Sequence, residues 1–313
     1  MTLKKSLRTF VLFFIGALLS HLANACPKTQ CVRIGTWNLE WLGSEKRNQP
    51  ADQKTIHAIV DLIANQLSID IISLEEINSS LDGEVRGENF SLKPWQDLQR
   101  ELKQHGYQVT AGDSGYAQHV VLAWRTPVTL KTIDELPVPD HYELNESCHS
   151  SHLRKPLAGW FRADQFDFWL VGLHLKARGT DSECTSAVRK AQAQDLYAAL
   201  APLIKKDPRV ILIGDFNANS HDPSLALVNN FKTLDDKENR SPASNAYSYH
   251  SETSKKENHS GLIDHILVNP ASLQAWQEKS TAVYKPKDAD VFANTFSDHV
   301  PLWADFYTVN KHD

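Results

Sequence analysis

Residues 210–217, V-I-L-I-G-D-F-N, constrain the fold more than any other stretch of the 313-residue chain. Val210 to Ile213 are β-branched or leucine throughout, the pattern of a strand buried on both faces. Such a strand needs cover above and below, as in an α/β protein. Gly214 ends the run, where the backbone can turn sharply. Asp215 and Asn217 follow on the same side of an extended chain. A carboxylate and an amide at the mouth of a buried strand stand where α/β proteins place their sites. Asp and Asn also shape ordinary turns, so this octapeptide alone leaves the two readings even.

Other apolar runs end the same way. Val32 to Trp37 leads into Asn38 and Glu40, Asp70 to Leu74 into Glu75-Glu76, and Phe166 to Leu173 into His174. The apolar strand 262–268 contains Asp264-His265, and Ser297-Asp298-His299 precedes a closing strand that ends near Phe306. Between these runs lie helical patterns: Ile56, Ile59, Val60, Ile63 and Leu67 after a capping Asp52, then 95–105 and 187–206. Tyr107 to Thr110, Val120 to Trp124 and Val128 to Leu130 read as a meander. Residues 157–161 and 166–173 read as a hairpin around Asp164-Gln165, and Asp222-Pro223 starts a short helix. Stretches 78–91, 134–152 and 235–260 are polar loops. His141, His149 and His152 in the second of them match no zinc spacing and read as solvated. No linker divides residues 26–313, so a single domain is expected.

Residues 1–25 stand apart. Lys4, Lys5 and Arg8 precede an apolar run from Phe10 to Leu19, and Ala23-Asn24-Ala25 offers a cleavage site. This is the layout of a secretory signal peptide, with a core too short to span a membrane comfortably. Cys26 follows the site, but Ala23 stands where a lipobox has leucine, which favours release over anchoring. A secreted or periplasmic protein is expected, monomeric and without stable membrane association. Less the three basic residues of that segment, 33 Lys and Arg against 38 Asp and Glu leave a formal charge of −8. That balance excludes a polycation that coats nucleic acid, but not an acidic pocket neutralised by metal. Four Cys in an exported chain suggest two disulfides. Cys26–Cys31 with Cys148–Cys184 is the preferred pairing, because each pair brackets one local excursion.

If those strand ends meet, Asn38, Glu40, Glu76, His174, Asp215, Asn217, Asp264, Asp298 and His299 form an oxygen-rich pocket with two imidazoles. Hard oxygen ligands suit Mg²⁺, with Mn²⁺ or Ca²⁺ as alternatives. Two histidines near neutrality suit proton transfer and stabilisation of an anion. Hydrolysis of a phosphate ester needs both. The segments T-W-N-L-E-W (36–41), S-L-E-E-I (73–77), L-R-K-P (153–156), G-L-H-L-K (172–176), G-D-F-N-A-N (214–219), I-D-H-I-L-V (263–268) and S-D-H-V-P-L (297–302) together resemble the endonuclease/exonuclease/phosphatase superfamily. The match is to its deoxyribonuclease-I-like branch and spans the whole mature chain. The pattern H-L-K-A…C…R-x-x-Q-A (174–193), with the signal segment, is most similar to secreted bacterial nucleases of this group.

The resemblance implies a four-layer sandwich, two mixed β-sheets face to face with helices outside. It implies that Asn38, Glu76 and Asp298 serve the metal, and that Glu75 falls where the family carries glutamine. An acidic surface pair is a plausible competing account for Glu75, less so for Glu76. His299 takes the place of the catalytic histidine, with Asp264 orienting it and raising its pKa. His265 is expected to point to the opposite face and be structural. His174 corresponds to a second histidine acting as general acid or phosphate ligand, and Asp215 with Asn217 to a pair that orients water and contacts the scissile phosphate. Arg154 corresponds to a phosphate-contacting arginine, against the account of a solvated surface residue. Arg125, Arg154, Lys176 and Arg178 are candidates for capturing a phosphate backbone. The expected activity is a metal-dependent nuclease acting on DNA, with RNA as a second substrate. A phospholipid or inositol-phosphate phosphoesterase, or a non-catalytic binding protein on the same fold, are the alternatives. The polar loops 78–91 and 235–260 offer neither an apolar docking loop nor a basic pocket for lipid.

Overall fold

The computed structural model describes residues 27, 29–43, 52–78, 92–228, 230–250 and 261–309. The expected signal segment 1–25, Cys26 with its expected bond to Cys31, and loop residues 79–91 and 251–260 lie outside them.

In chain order the strands are β1 (Cys31–Leu42), β2 (Ile71–Ile77), β3 (Gln108–Ala111), β4 (His119–Trp124), β5 (Val128–Glu135), β6 (Tyr142–Asn145) and β7 (Cys148–Ser150). Then come β8 (Leu157–Ala163), β9 (Phe166–His174), β10 (Val210–Asp215), β11 (Lys232–Thr233), β12 (Asp264–Val268), β13 (Ala282–Val283) and β14 (Leu302–Tyr307). They make two six-stranded sheets, ordered β13-β14-β1-β2-β4-β3 and β11-β12-β10-β9-β8-β5, and a small β6-β7 hairpin. Each sheet is mixed: β1 runs parallel to β2 and β9 parallel to β10, the other pairs being antiparallel. The helices are α1 (Gln53–Asp61), α2 (Lys93–Gln104), α3 (Ser182–Lys206) and the short α4 (Pro270–Leu273) and α5 (Ala289–Thr295). Asp52 caps α1 by accepting from the Thr55 amide at 2.8 Å.

Side-chain alternation on β10 explains the layering. Ile211 and Ile213, with Phe168 and Leu170 of β9, join the core shared with the first sheet. Val210 and Leu212, with Trp169 and Val171, face the other way and pack under Leu196, Ala199 and Leu200 of α3. A strand apolar on both faces is thus covered on both. Ile56, Ile59, Trp95, Leu98 and Leu102 bring α1 and α2 into the cluster of the first sheet. The sandwich expected from the sequence is the one observed.

The meander is not. Strands β3 and β4 pair in the first sheet, whereas β5 pairs with β8 in the second. The chain changes sheets across the turn at Thr126–Pro127, a position that suits proline because it lies outside both ladders. The polar stretch 134–152 also holds the β6-β7 hairpin, fastened by the Cys148–Cys184 disulfide to the first turn of α3. His141, His149 and His152 are exposed on it, as expected.

Two glycines set the spacing around the site. A Cβ on Gly172 would lie 2.6 Å from Ser73 Oγ, so the sheets approach closely at that point. Gly214 has φ +138°, and a Cβ there would fall 1.9 Å from the Leu173 carbonyl oxygen. Only glycine fits the end of β10.

Candidate active site

Register brings the first three groups together. Asp215 is paired with His174 on the parallel neighbour β9 and with Asp264 on the antiparallel neighbour β12. Directly opposed residues share a face, so two carboxylates and an imidazole line up across three strands. On the facing sheet, the β1–β2 pairing slips between Asn38 and Leu42, and the β2–β4 pairing slips between Leu74 and Ile77. Bulges of this kind re-aim side chains. Here Glu40 (φ 44°), Trp41 (φ 52°) and Glu76 (φ 61°) adopt left-handed backbone.

The hydrogen bonds converge on Asp215 and Glu76. Asn38 Nδ2 donates to Asp215 Oδ2 at 3.0 Å and to Glu76 Oε1 at 3.2 Å. The Trp41 amide holds Glu76 Oε2 at 2.9 Å, and the Glu40 amide holds Asn38 Oδ1 at 2.9 Å. Asn217, itself at φ 52°, donates its amide to Asp215 Oδ1 at 2.7 Å and its side chain to the Leu175 carbonyl at 3.2 Å. His299 Nδ1 meets Asp264 Oδ2 at 2.7 Å, and its Nε2 lies 3.8 Å from Asp215 and 3.9 Å from Asp298. Ser297 Oγ accepts from the His299 amide at 3.0 Å and donates to the Asn38 carbonyl at 2.7 Å, tying the last motif to the first. His174 Nε2 stands 3.6 Å from Asp215 and 3.7 Å from Glu76, and neither of its nitrogens has a hydrogen-bond partner among the described residues.

The two imidazoles are driven apart electrostatically. Burial pushes His174 well below the usual histidine value, helped by Arg154. Burial opposes charge on His299 too, but Asp264, Asp215 and Asp298 outweigh it and raise its pKa. Burial and the nearby Asp264 lift Asp215 to about 7. Burial, with Glu40 and Glu76 near, lifts Asp298 to about 7 against the pull of His299. Groups forced in opposite directions within one pocket are the signature of divided acid–base roles.

Arg154 is 6 % exposed, which excludes the surface account. Its Nε and Nη2 donate to the His174 and Leu175 carbonyls at 3.2 and 2.6 Å, so it braces the end of β9 with its charge beside Glu76 and Asp215. Arg125 is not at the site. It lies over the Tyr107 ring and 3.5 Å from Asp70, at the end of β2 away from Glu76. Glu75 is fully buried, which excludes the competing account of an acidic surface pair. Strand β2 continues to Ile77, and the bulge at Glu76 leaves Glu75 pointing between the sheets. There it accepts from Thr36 Oγ1 at 3.0 Å and from Ser73 Oγ at 2.5 Å. Burial raises its pKa well above the carboxylate range, with Asp264 and Asp215 adding to it. A neutral acid is an isostere of the family's glutamine. Glu75→Gln should therefore keep stability within about 1 kcal/mol near neutrality. In wild type the folded state keeps this proton after the unfolded chain has lost it, so stability falls as pH rises above about 4.3. Urea unfolding from about pH 5 to 9 should show a shallower fall in the variant; identical slopes would mean an ionised Glu75.

Sequence reasoning missed Tyr249, Ser248 and Ser297. Tyr249 bridges to His299 with ring centroids 5.0 Å apart. Ser248 Oγ accepts from the Ile263 and Asp264 amides at 3.1 Å. The first two sit in a polar loop without periodicity, so nothing in the sequence marked them.

The donor set fits a divalent cation. Asp215, Asp264 and His299 each offer an atom within 4.8 Å of the others. Asp264 Oδ1 lacks a hydrogen-bond partner, and Asp215 and Asp298 are held near pH 7 by burial and mutual repulsion, a load that a cation relieves. Asp264 Oδ2 is engaged by His299 and the oxygens of Glu76 and Asn38 by amide donors, which leaves Asp264 Oδ1 without a hydrogen-bond partner among the described residues, while Glu76 and Asp298 add further carboxylates around Asp215.

Two packed mixed sheets with such a pocket at their strand ends are the arrangement of one family of hydrolases. The chain belongs to the endonuclease/exonuclease/phosphatase family, whose profile matches residues 35–299. Among solved structures it is similar to an endonuclease/exonuclease/phosphatase family protein from Bacteroides thetaiotaomicron (17% identity, 90% of this chain and 96% of that one, TM-score 0.63). It is also similar to truncated TDP2 from Caenorhabditis elegans (15% identity, 88% and 97%, TM-score 0.57). A third is a mannosyl-6-phosphatase from Bacteroides thetaiotaomicron VPI-5482 (17% identity, 87% and 98%, TM-score 0.59). These likenesses carry the fold. No curated protein matches the chain. Among the described residues no helix is long and apolar enough to cross a membrane.

Proposed function

We propose that the protein is an exported, divalent-metal-dependent phosphodiesterase that cleaves nucleic acid, DNA foremost. The observation that carries this reading is the pairing of two oppositely tuned histidines, His299 on Asp264 and His174 without a partner, across one carboxylate, Asp215. Glu76, Asn38 and Asp298 would hold the cation, which offsets charge on the non-bridging phosphate oxygens. His299, fixed through Nδ1 by Asp264, presents Nε2 in its neutral form to take the proton of the attacking water. That form is favoured when a cation on the neighbouring carboxylates offsets the charge that raises the His299 pKa. Asp215 and Asn217 orient that water. Neutral His174 donates to a phosphate oxygen, and Arg154 supplies positive charge behind it. Basic residues along the His174 edge favour a polyanionic substrate, and the layout of residues 1–25 supports export.

The test is a panel of plasmid DNA, RNA, sphingomyelin and inositol phosphates, each with Mg²⁺ and with chelator. Mg²⁺-dependent nicking of DNA is expected, with chelator lowering the rate at least about a hundredfold. Mg²⁺ should also raise the unfolding temperature, as any ligand of the folded state does. Faster release of phosphocholine from sphingomyelin than nicking of DNA would replace this reading with the lipid one.

A further inference from the structure

Beyond His174 the chain gathers cations that the hydrolytic roles leave unused. Arg189 on α3 is 4 % exposed, yet its Nε has no hydrogen-bond partner among the described residues, while Nη1 donates to the Lys176 carbonyl at 3.1 Å. A buried guanidinium with an unused donor is costly unless an anion completes it. The Lys176 amide is held by the buried Gln192 side chain at 2.8 Å, so the loop stays against α3. No carboxylate among the described residues lies within 4.0 Å of Lys176 Nζ, and burial, with Arg154 and Arg189 near, lowers its pKa. Arg178 Nε donates to the Asn217 carbonyl at 3.2 Å, which fastens it to the turn beside Asp215. Asp222 lies in the field of Arg189 and Arg178, and Asp215 also acts on Arg189, but no ion pair within 4.0 Å joins these groups. Cation therefore exceeds anion along this edge. The edge is also rigid, because the Cys148–Cys184 disulfide and the Asp181 cap fix the first turn of the helix that carries Arg189.

We infer that Lys176, Arg178 and Arg189 form a second phosphate subsite on the His174–Asn217 edge, which takes the phosphodiester adjacent to the reactive one on a nucleic-acid strand. His174 and Lys176 are two residues apart, at most about 7 Å of extended chain, so one strand can reach both. The subsite rests on the nucleic-acid reading and explains how an acidic protein selects a polymer. Arg189 supplies the buried anchor and Arg178 with Lys176 close the anion from the solvent side, as paired cations do for phosphate.

Binding can be measured without turnover. In chelator, the dissociation constants of a thymidine dinucleotide with one phosphodiester and a trinucleotide with two are compared by fluorescence anisotropy. Wild type should bind the trinucleotide about tenfold more tightly, the worth of one or two charge-assisted hydrogen bonds. Lys176→Gln with Arg178→Gln should shrink that ratio to about twofold, and should lower the salt slope on a longer single strand by about 0.7 per cation lost. Equal affinities in wild type, or a ratio that survives both substitutions, would overturn the subsite. A phosphodiester gap in binding without Mg²⁺-dependent hydrolysis would instead retain the subsite and remove the hydrolytic reading.

Discussion

His299→Gln is expected to lower kcat on plasmid DNA by about a thousandfold, the middle of the range for a lost acid–base group. The size of the effect follows from how the ring is held. Asp264 fixes Nδ1 at 2.7 Å, the His299 carbonyl accepts from Trp37 Nε1 at 2.9 Å, and the Tyr249 ring lies against the imidazole. Nε2 thus has one direction left, toward Asp215 and Asp298. Glutamine keeps a donor for Asp264 and limits the structural cost, but cannot take a proton near neutrality. The control is the unfolding temperature, which should change far less than the rate. Cleavage within threefold of wild type would remove His299 from the chemistry. His174→Gln should also impair turnover, though less, because its neutral ring is assigned hydrogen bonding rather than proton removal.

The largest effect on stability is expected on the other face of β12. His265 is fully buried, with Nδ1 2.6 Å from Asp235 Oδ2 and Nε2 2.8 Å from the Ala218 carbonyl. Both nitrogens face acceptors, so both carry protons and the ring is a cation. Asp235 is equally buried, and its second oxygen accepts from the Ile266 amide at 2.9 Å. His265→Ala strands that carboxylate, at a cost of about 3–5 kcal/mol, or roughly 10 °C in unfolding temperature for a domain of this size. Burial works against the charge, but Asp235 outweighs it and raises the folded pKa above the usual 6.5. The contribution is therefore complete below about pH 6.5 and fades as pH rises through the folded value. Wild type should lose stability between about pH 6 and 9 that His265→Gln does not lose. Equal slopes, or an alanine variant within about 1 kcal/mol of wild type, would show the pair to be energetically idle. Because Ala218 follows Asn217, the alanine variant should also impair cleavage.

These residues show what the sequence could convey. Asp264 and His265 were legible as opposite faces because strand alternation is a fixed rule, and their partners bear it out in space. V-I-L-I likewise disclosed cover on both sides. Glu75 was harder: S-L-E-E-I reads as a strand with an acidic end, and nothing local announces the slip that turns Glu76 outward and buries Glu75. Sheet membership was invisible at Pro127: β4 is apolar throughout and β5 alternates, but which sheet each joins depends on partners distant in the chain. Arg125 looked available for phosphate because charge is local, whereas which end of β2 it occupies is a matter of topology. The histidine–carboxylate cluster was read from motifs; Tyr249 and Ser248 depend on a loop returning over the sheet edge.

Glu40, Trp41, Glu76 and Asn217 are four of the nine non-glycine residues with positive φ among the described residues, and the backbone or side chain of each takes part in the hydrogen bonds of one pocket. Each holds a conformation that costs on the order of 1 kcal/mol or more and that an isolated segment would abandon. The surrounding sheets thus act as a mould cast ahead of use: the oxygens already stand in place before a substrate arrives, and little motion remains to be made on encounter. Selectivity then falls to whatever can slide past the rim, so grafting new loops onto this sandwich should redirect the enzyme while leaving its reaction intact.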